Sequence, residues 1–258
     1  MALFTPSESP AVVVKEIDLT GGVPNVQSTT GAIVGNFRWG PAEERVLVDN
    51  EATLVDTFAT PDSANTVDFH SAQYFLRYSS SLQVVREVTS AAFNSRATVG
   101  QKAADSDTTL NAELVKNTPD FEAQRSALDS DSHTFIGKYP GSLGNSLQVQ
   151  ICPSDSASSI FSSWTYVNNF DKAPGTSTFA SNNGATGDEV HIVVVDKDGK
   201  FTGTRGEILE TFPFLSVGRN AKNPDGTNNY APDVVNERSE YVWMVEFDSD
   251  HLAAGAST

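Results

Sequence analysis

Apolar residues fall into short clusters separated by Gly, Pro, Ser and Asn, and the spacing inside each cluster predicts its element. Ala11-Val12-Val13-Val14-Lys15-Glu16-Ile17 is an apolar strand standing alone. Pro6, Ser7, Ser9 and Pro10 precede it, and Gly21, Gly22 and Pro24 follow it. It has no hairpin partner nearby in sequence, and a single strand is not stable by itself. It therefore pairs with a distant strand of its own chain or adds to a sheet of another chain. Residues 1–24 read as an extended arm and 25–258 as the folded body.

Gly31-Ala32-Ile33-Val34-Gly35 reads as a buried strand, closed by Phe37-Arg38-Trp39-Gly40-Pro41, and Val46-Leu47-Val48 is a second short strand. Asn50 caps a helix over 51–58 whose first turn is acidic. The clearest helix covers 68–78, where Phe69, Ala72, Phe75 and Leu76 share one face of a 3.6-residue period and should meet a sheet. A serine turn leads to a strand at 82–88, so helix, turn and strand form the second half of a βαβ-type unit. Residues 90–109 are small and polar and read as a connector. Thr118 as cap and Pro119 at the first helical position start a helix ending near Leu128.

Strands follow at 134–138 and 147–151, joined by the turn-rich Tyr139-Pro140-Gly141-Ser142-Leu143-Gly144-Asn145. From Ser154 the pattern is β-rich. Residues 189–195 form a strong strand, Lys197-Asp198-Gly199-Lys200 a hairpin turn, and 206–212 the partner. A polar loop at 220–229, a helix at 231–238 opened by Pro232 and Asp233, and a buried strand at 241–245 complete the chain. The fold class is mixed α/β: an extended arm, a mixed sheet with flanking helices, and a β-rich second half. The strands at 147–151, 190–195 and 241–245 are expected to extend the unit formed by 31–88.

A chain of 258 residues can bury a sizeable core. No run approaches the roughly 18 apolar residues that cross a membrane. The first residues lack the basic and apolar regions of a signal peptide. Formal charge is −16 and the basic residues are scattered, which argues against a nucleic-acid surface and for solubility. Cys152 is the sole cysteine, so no disulfide framework or thiolate metal cluster forms within the chain, and a reducing compartment during assembly fits.

His70, His133, His191 and His251 lack the spacing of a metal-binding helix. Asp196, Asp198 and Glu207 match the first, third and twelfth positions of a calcium loop. Lys200 then stands where an oxygen ligand is needed, and Phe201 where glycine is needed, so a hairpin turn explains the segment better. No phosphate loop and no nucleophile elbow occurs. The expectation is no catalytic residue, no cofactor and no obligatory metal. Two other readings stand beside a polymer subunit: a non-catalytic, β-rich adhesin or receptor-binding module, and a small hydrolase using scattered carboxylates.

Several segments together resemble the start of the tail sheath protein of contractile-tailed bacteriophages, in its T4-like, cyanophage-type branch. They are Ser9-Pro10 with Val12-Val13-Val14-Lys15-Glu16, then Gly31-Ala32-Ile33-Val34-Gly35, Trp39-Gly40-Pro41, Asn50-Glu51, and Val84-Val85-Arg86. Lys138-Tyr139-Pro140-Gly141-Ser142-Leu143-Gly144-Asn145 and Arg238-Ser239-Glu240-Tyr241-Val242-Trp243 continue the series. The resemblance implies the N-terminal portion of a longer chain, with residues 25–258 as part of its α/β core. It also implies that an outward-facing domain, inserted in larger members after the strand at 82–88, is replaced here by the connector.

The function implied is mechanical. Such subunits form homo-oligomeric stacked hexameric rings around a tail tube protein, alongside baseplate and tail terminator proteins. The sheath contracts without hydrolysing nucleotide and drives the tube through the host envelope. Nucleic-acid binding and membrane insertion are not expected. The location implied is the virion tail, after assembly in the host cytoplasm. Val12, Val13, Val14, Lys15, Glu16 and Ile17 are then an inter-subunit strand, whose backbone hydrogen bonds can survive rigid-body motion.

Overall fold

A computed structural model describes residues 30–97, 113–130, 134–155 and 157–245. The lone strand at 12–17 and residues 98–109 of the connector lie outside the described residues. In chain order the elements are β1 (Gly31–Gly35), β2 (Arg45–Val48), α1 (Glu51–Phe58), α2 (Thr66–Leu76), β3 (Leu82–Arg86), β4 (Arg96–Ala97), α3 (Thr118–Ser130) and β5 (Phe135–Gly137). They continue with β6 (Leu147–Pro153), α4 (Ser159–Ser163), α5 (Thr178–Asn182), β7 (Glu189–Asp196), β8 (Glu207–Ser216), α6 (Ala231–Arg238) and β9 (Val242–Met244). The mixed α/β class holds. The strands do not extend one sheet, however; they divide among three sheets with orders β1-β3-β2, β4-β5-β9 and β6-β7-β8.

In the first sheet β1 runs parallel to β3 and β2 antiparallel to it, so β2, α1 and α2 all sit within the crossover. Asn50 caps α1 as its position predicts: its side-chain oxygen accepts the Thr53 N–H at 2.9 Å. Phe37, Leu54, Phe58, Phe69, Leu82 and Val84 form the core between these helices and the sheet. Phe75 packs against it but is only half-buried. Its ring lies over Gly31, where a Cβ would sit 2.4 Å from the ring tip, so glycine is what lets the helix approach β1. Among the described residues no element covers the outer face of β1 and β2: Val34 is 59% exposed and Leu47 of β2 56%.

The second sheet is thin and covered on both faces. Phe121 and Leu128 of α3 pack on one side with Ile136 and Trp243. Phe121 stacks on Trp243 at 4.3 Å. On the other side Phe135, Val242 and Met244 join α6 and the third sheet in the largest core. β7 runs between β6 and β8 and is buried from Val190 to Asp196, which explains its nearly unbroken apolar sequence.

Four local expectations differ from the structure. Asn117, not Thr118, caps α3, since its side chain accepts the Asp120 N–H at 3.1 Å and Pro119 takes the second helical position. Arg96 and Ala97 of the polar connector form β4 against β5. The segment after Ser154 contains the short helices α4 and α5. The β7–β8 connection is longer than a tight turn, closing where Gly206 N–H donates to the Asp196 carbonyl.

Burial ranks the α2 aromatics. Phe69→Ala should cost about 3–5 kcal/mol in denaturant unfolding, as fully buried rings do, and the half-buried Phe75→Ala distinctly less. Equal costs would contradict this packing.

Candidate functional site

The core of the first sheet shares no residue with the other two cores. What joins them is a polar and aromatic junction, and the segments that carry the family resemblance meet there. Arg86 ends β3 on its inward face, after Leu82 and Val84, and is 3% exposed. Its guanidinium donates to four backbone carbonyls: Phe37 at 2.7 Å, Gly40 at 2.9 Å, Arg38 at 3.3 Å and Pro140 at 2.6 Å. Three belong to the loop after β1 and the fourth to the Tyr139-Pro140-Gly141 link, so one side chain pins two distant segments together.

Burial lowers the Arg86 pKa to about 10, with Tyr139 opposing, so the guanidinium stays charged near neutrality. The Arg86 carbonyl accepts the Glu43 N–H at 2.9 Å, and Ala42 exchanges backbone and side-chain hydrogen bonds with Lys116 and Asn117. Gly141 makes the approach possible. Its φ of 130° favours glycine, and a Cβ would lie 3.3 Å from the guanidinium.

An aromatic relay covers the junction. Trp39 meets Tyr139 edge-on at 5.4 Å and Phe201 at 5.1 Å, and Phe201 meets Tyr241 at 5.3 Å. Such tilted contacts add about 0.5–1.5 kcal/mol each beyond area burial. Lys138 continues the tie. Its amine donates to the Ser239 carbonyl and lies 4.7 Å over Trp243, whose indole N–H donates to the Lys138 carbonyl at 3.1 Å. Ser239 in turn donates to Glu210 at 2.7 Å and accepts the Tyr241 and Val242 N–H groups.

The residues weighed for chemistry are engaged structurally. Asp196 accepts from Ser146 Oγ, from the Lys200, Phe201 and Thr202 N–H groups, and from Thr202 Oγ1. It thus organises the β7–β8 loop as a turn. His191 is fully buried: Nδ1 accepts the Phe214 N–H at 3.0 Å and Nε2 meets the Lys172 carbonyl at 2.9 Å, which fixes the neutral tautomer. Its ring stacks on Phe170 at 4.3 Å. Burial pushes its pKa down. His70 bonds Gln73 at 2.7 Å, while His133 and His251 lie outside the described residues. Burial raises the Cys152 thiol to about 11, which keeps it protonated. Among the described residues no three His, Cys, Asp or Glu side chains gather as metal ligands, and no helix is long and apolar enough to cross a membrane. The arm residues Val12, Val13, Val14, Lys15, Glu16 and Ile17 lie outside the described residues. The Arg86 clasp was not anticipated, although an arginine at the inward register of Leu82 and Val84 was its signal.

A guanidinium bound to carbonyls, edge-on aromatics and hydrogen-bonded carboxylates hold the parts of this α/β fold together. The chain is 38% identical over 209 residues, 81% of its length, to the tail sheath protein of Salmonella phage ViI. It is 41% identical over 80 residues, 31% of its length, to that of Enterobacteria phage T4, and 28% identical over 158 residues, 59% of its length, to that of Vibrio phage KVP40. By sequence it is a relative of the phage tail sheath proteins. The matches span 29%, 12% and 21% of those proteins, so the chain covers less than a third of their length. No protein-family model matches it. A solved structure, the sheath tail protein Lin1278 from Listeria innocua, is similar at a TM-score of 0.44 and 11% identity, over 90% of this chain and 33% of that one.

Arg86→Met should destabilise the chain by about 3 kcal/mol or more in urea unfolding, because each orphaned buried carbonyl costs about 1–3 kcal/mol. A loss within experimental error would show that the carbonyls find other donors. His191 sets a pH dependence. The unfolded state binds the proton near 6.5 and the folded state only at lower pH, so stability is fully present above about 6.5 and falls as pH drops through the folded pKa. Thermal unfolding between pH 7 and 5 should show this slope, and His191→Gln should flatten it.

Proposed function

We propose that this chain is the N-terminal portion of a tail sheath subunit of a contractile-tailed bacteriophage. Copies assemble as stacked hexameric rings around the tail tube, with baseplate and tail terminator proteins at the ends. Contraction drives the tube through the host envelope. The subunit is structural and non-catalytic, works without a cofactor, assembles in the host cytoplasm and resides in the virion. The observation that carries this reading is the 38% identity over 209 residues to the Salmonella phage ViI tail sheath protein. The same similarity favours a structural subunit over an adhesin or a hydrolase.

Residues 1–24 act as an extended arm whose strand, Val12, Val13, Val14, Lys15, Glu16 and Ile17, adds to a sheet of a neighbouring subunit. Supporting this is the apolar run between two Gly/Pro-rich breaks. Energy is held in the extended lattice, so each subunit must move as a unit when the lattice shortens. The Arg86 junction supplies that stiffness by tying the first sheet to the rest.

Electron microscopy of the purified full-length protein should show tubes or stacked rings. Val13→Pro, which removes a ladder donor, should abolish them while leaving the thermal transition of the body in place. Regular tubes from the proline variant would remove the arm from the account, and isolated monomers from the unaltered full-length protein would contradict the sheath reading itself.

A further inference from the structure

A cavity of about 520 Å³ opens between the end of β8, the loop at 223–229 and α6. That size is within the range of formed ligand pockets. Phe212, Leu215 and Val234 make its floor, and Phe214 forms a wall with a φ of 54°, a backbone conformation that favours glycine. Phe214 is held there from both sides: its N–H by His191 at 3.0 Å and its carbonyl by Asn229 Nδ2 at 3.1 Å. Asn229 is 8% exposed, and its Oδ1 makes no hydrogen bond among the described residues. Arg238 lines the mouth, and its side chain has no hydrogen bond or ion pair among them. Lys222, beside the lining residue Asn223, likewise has no side-chain partner. Glu210 also lines the cavity, but both its oxygens are taken, by Ser239 Oγ and the Glu240 N–H. An apolar floor, a buried free acceptor and free cations at the rim suit a peptide that offers an aromatic side chain, a backbone N–H and carboxylates.

We infer that this cavity receives the segment Glu246, Phe247 and Asp248 of a second copy of the chain, with Phe247 on the apolar floor and a flanking carboxylate on Arg238. In this acidic chain only two phenylalanines stand between carboxylates on both sides. The other, Phe121 between Asp120 and Glu122, is fully buried in α3. Residues 246–248 lie outside the described residues. A second copy is favoured over the same chain by where β9 ends. Asn236 brackets Met244 through both backbone groups, at 2.7 and 2.9 Å. At 100° per residue, Asn236 sits on nearly the opposite side of α6 from Val234 and Arg238. The chain therefore leaves β9 on the face of α6 away from the cavity. This contact is separate from the arm and does not need it.

A complementation titration tests the inference. A fluorescently labelled Arg238→Glu chain keeps its segment but not its cavity, and a Phe247→Ala chain keeps its cavity but not its segment. Arg238 is exposed, so its variant should melt at the temperature of the unaltered chain, and the melting temperature of each variant is measured alongside. Fluorescence anisotropy should show the mixed pair binding at least tenfold more tightly than either variant binds itself. Both chains also carry Val13→Pro, so that association through the arm does not mask the difference. Three equal affinities, or no binding in the mixed pair, would overturn the inference, whether or not the protein forms tubes.

Discussion

The structure depends on one buried cation, Arg86, with no carboxylate beside it among the described residues. Removing a guanidinium from water costs several kcal/mol, and Arg86 recovers that cost only by engaging four carbonyls at once. Those carbonyls come from two segments far apart in sequence, so the charge is satisfied only when both are in place. A hydrophobic contact across the same gap would tolerate sliding, because dispersion and apolar burial have little directionality. A planar fork bound to fixed carbonyls does not. The arginine therefore converts two neighbouring cores into one body with a defined relative orientation.

That constraint orders the surrounding features. Gly141 admits the guanidinium. The Trp39, Tyr139, Phe201 and Tyr241 edges close over the junction and reach the β7–β8 loop, which Asp196 holds in shape. The Lys138–Ser239–Glu210 linkage extends it to the last strand. Under the proposed sheath function this arrangement has a mechanical meaning. Strain delivered to one edge passes through directional bonds rather than dissipating at a soft seam. The outer face of the first sheet, with Val34 and Leu47 exposed, is by contrast uncovered among the described residues.

Much of this was legible in the sequence where a single local rule decides the outcome. The Asn50 cap, the apolar face of α2, the Pro232 and Asp233 start of α6 and the unbroken apolar run of β7 all follow from short-range chemistry. The division into three sheets did not, because strand pairing is decided by contacts distant in sequence. β4 was hidden for the same reason: two residues carry no period, and only β5 makes them a strand. The half-exposed β1 looked buried because apolar residues on both faces read as a covered strand until the partner elements are known. Arg86 shows the boundary most clearly. Its register pointed inward, but its acceptors are carbonyls, which no side-chain pattern records.

Native-state hydrogen exchange on Arg86→Met tests the central claim most directly. The clasp predicts a localised loss. Amides at the junction, those of Trp39, Glu43 and Gly141, should exchange faster, while Ile192 and Val194 in β7 keep protection close to that of global unfolding. A uniform loss across both sets would make Arg86 an ordinary contributor to overall stability. Unchanged protection at Trp39, Glu43 and Gly141 would mean that the two cores are held together without it.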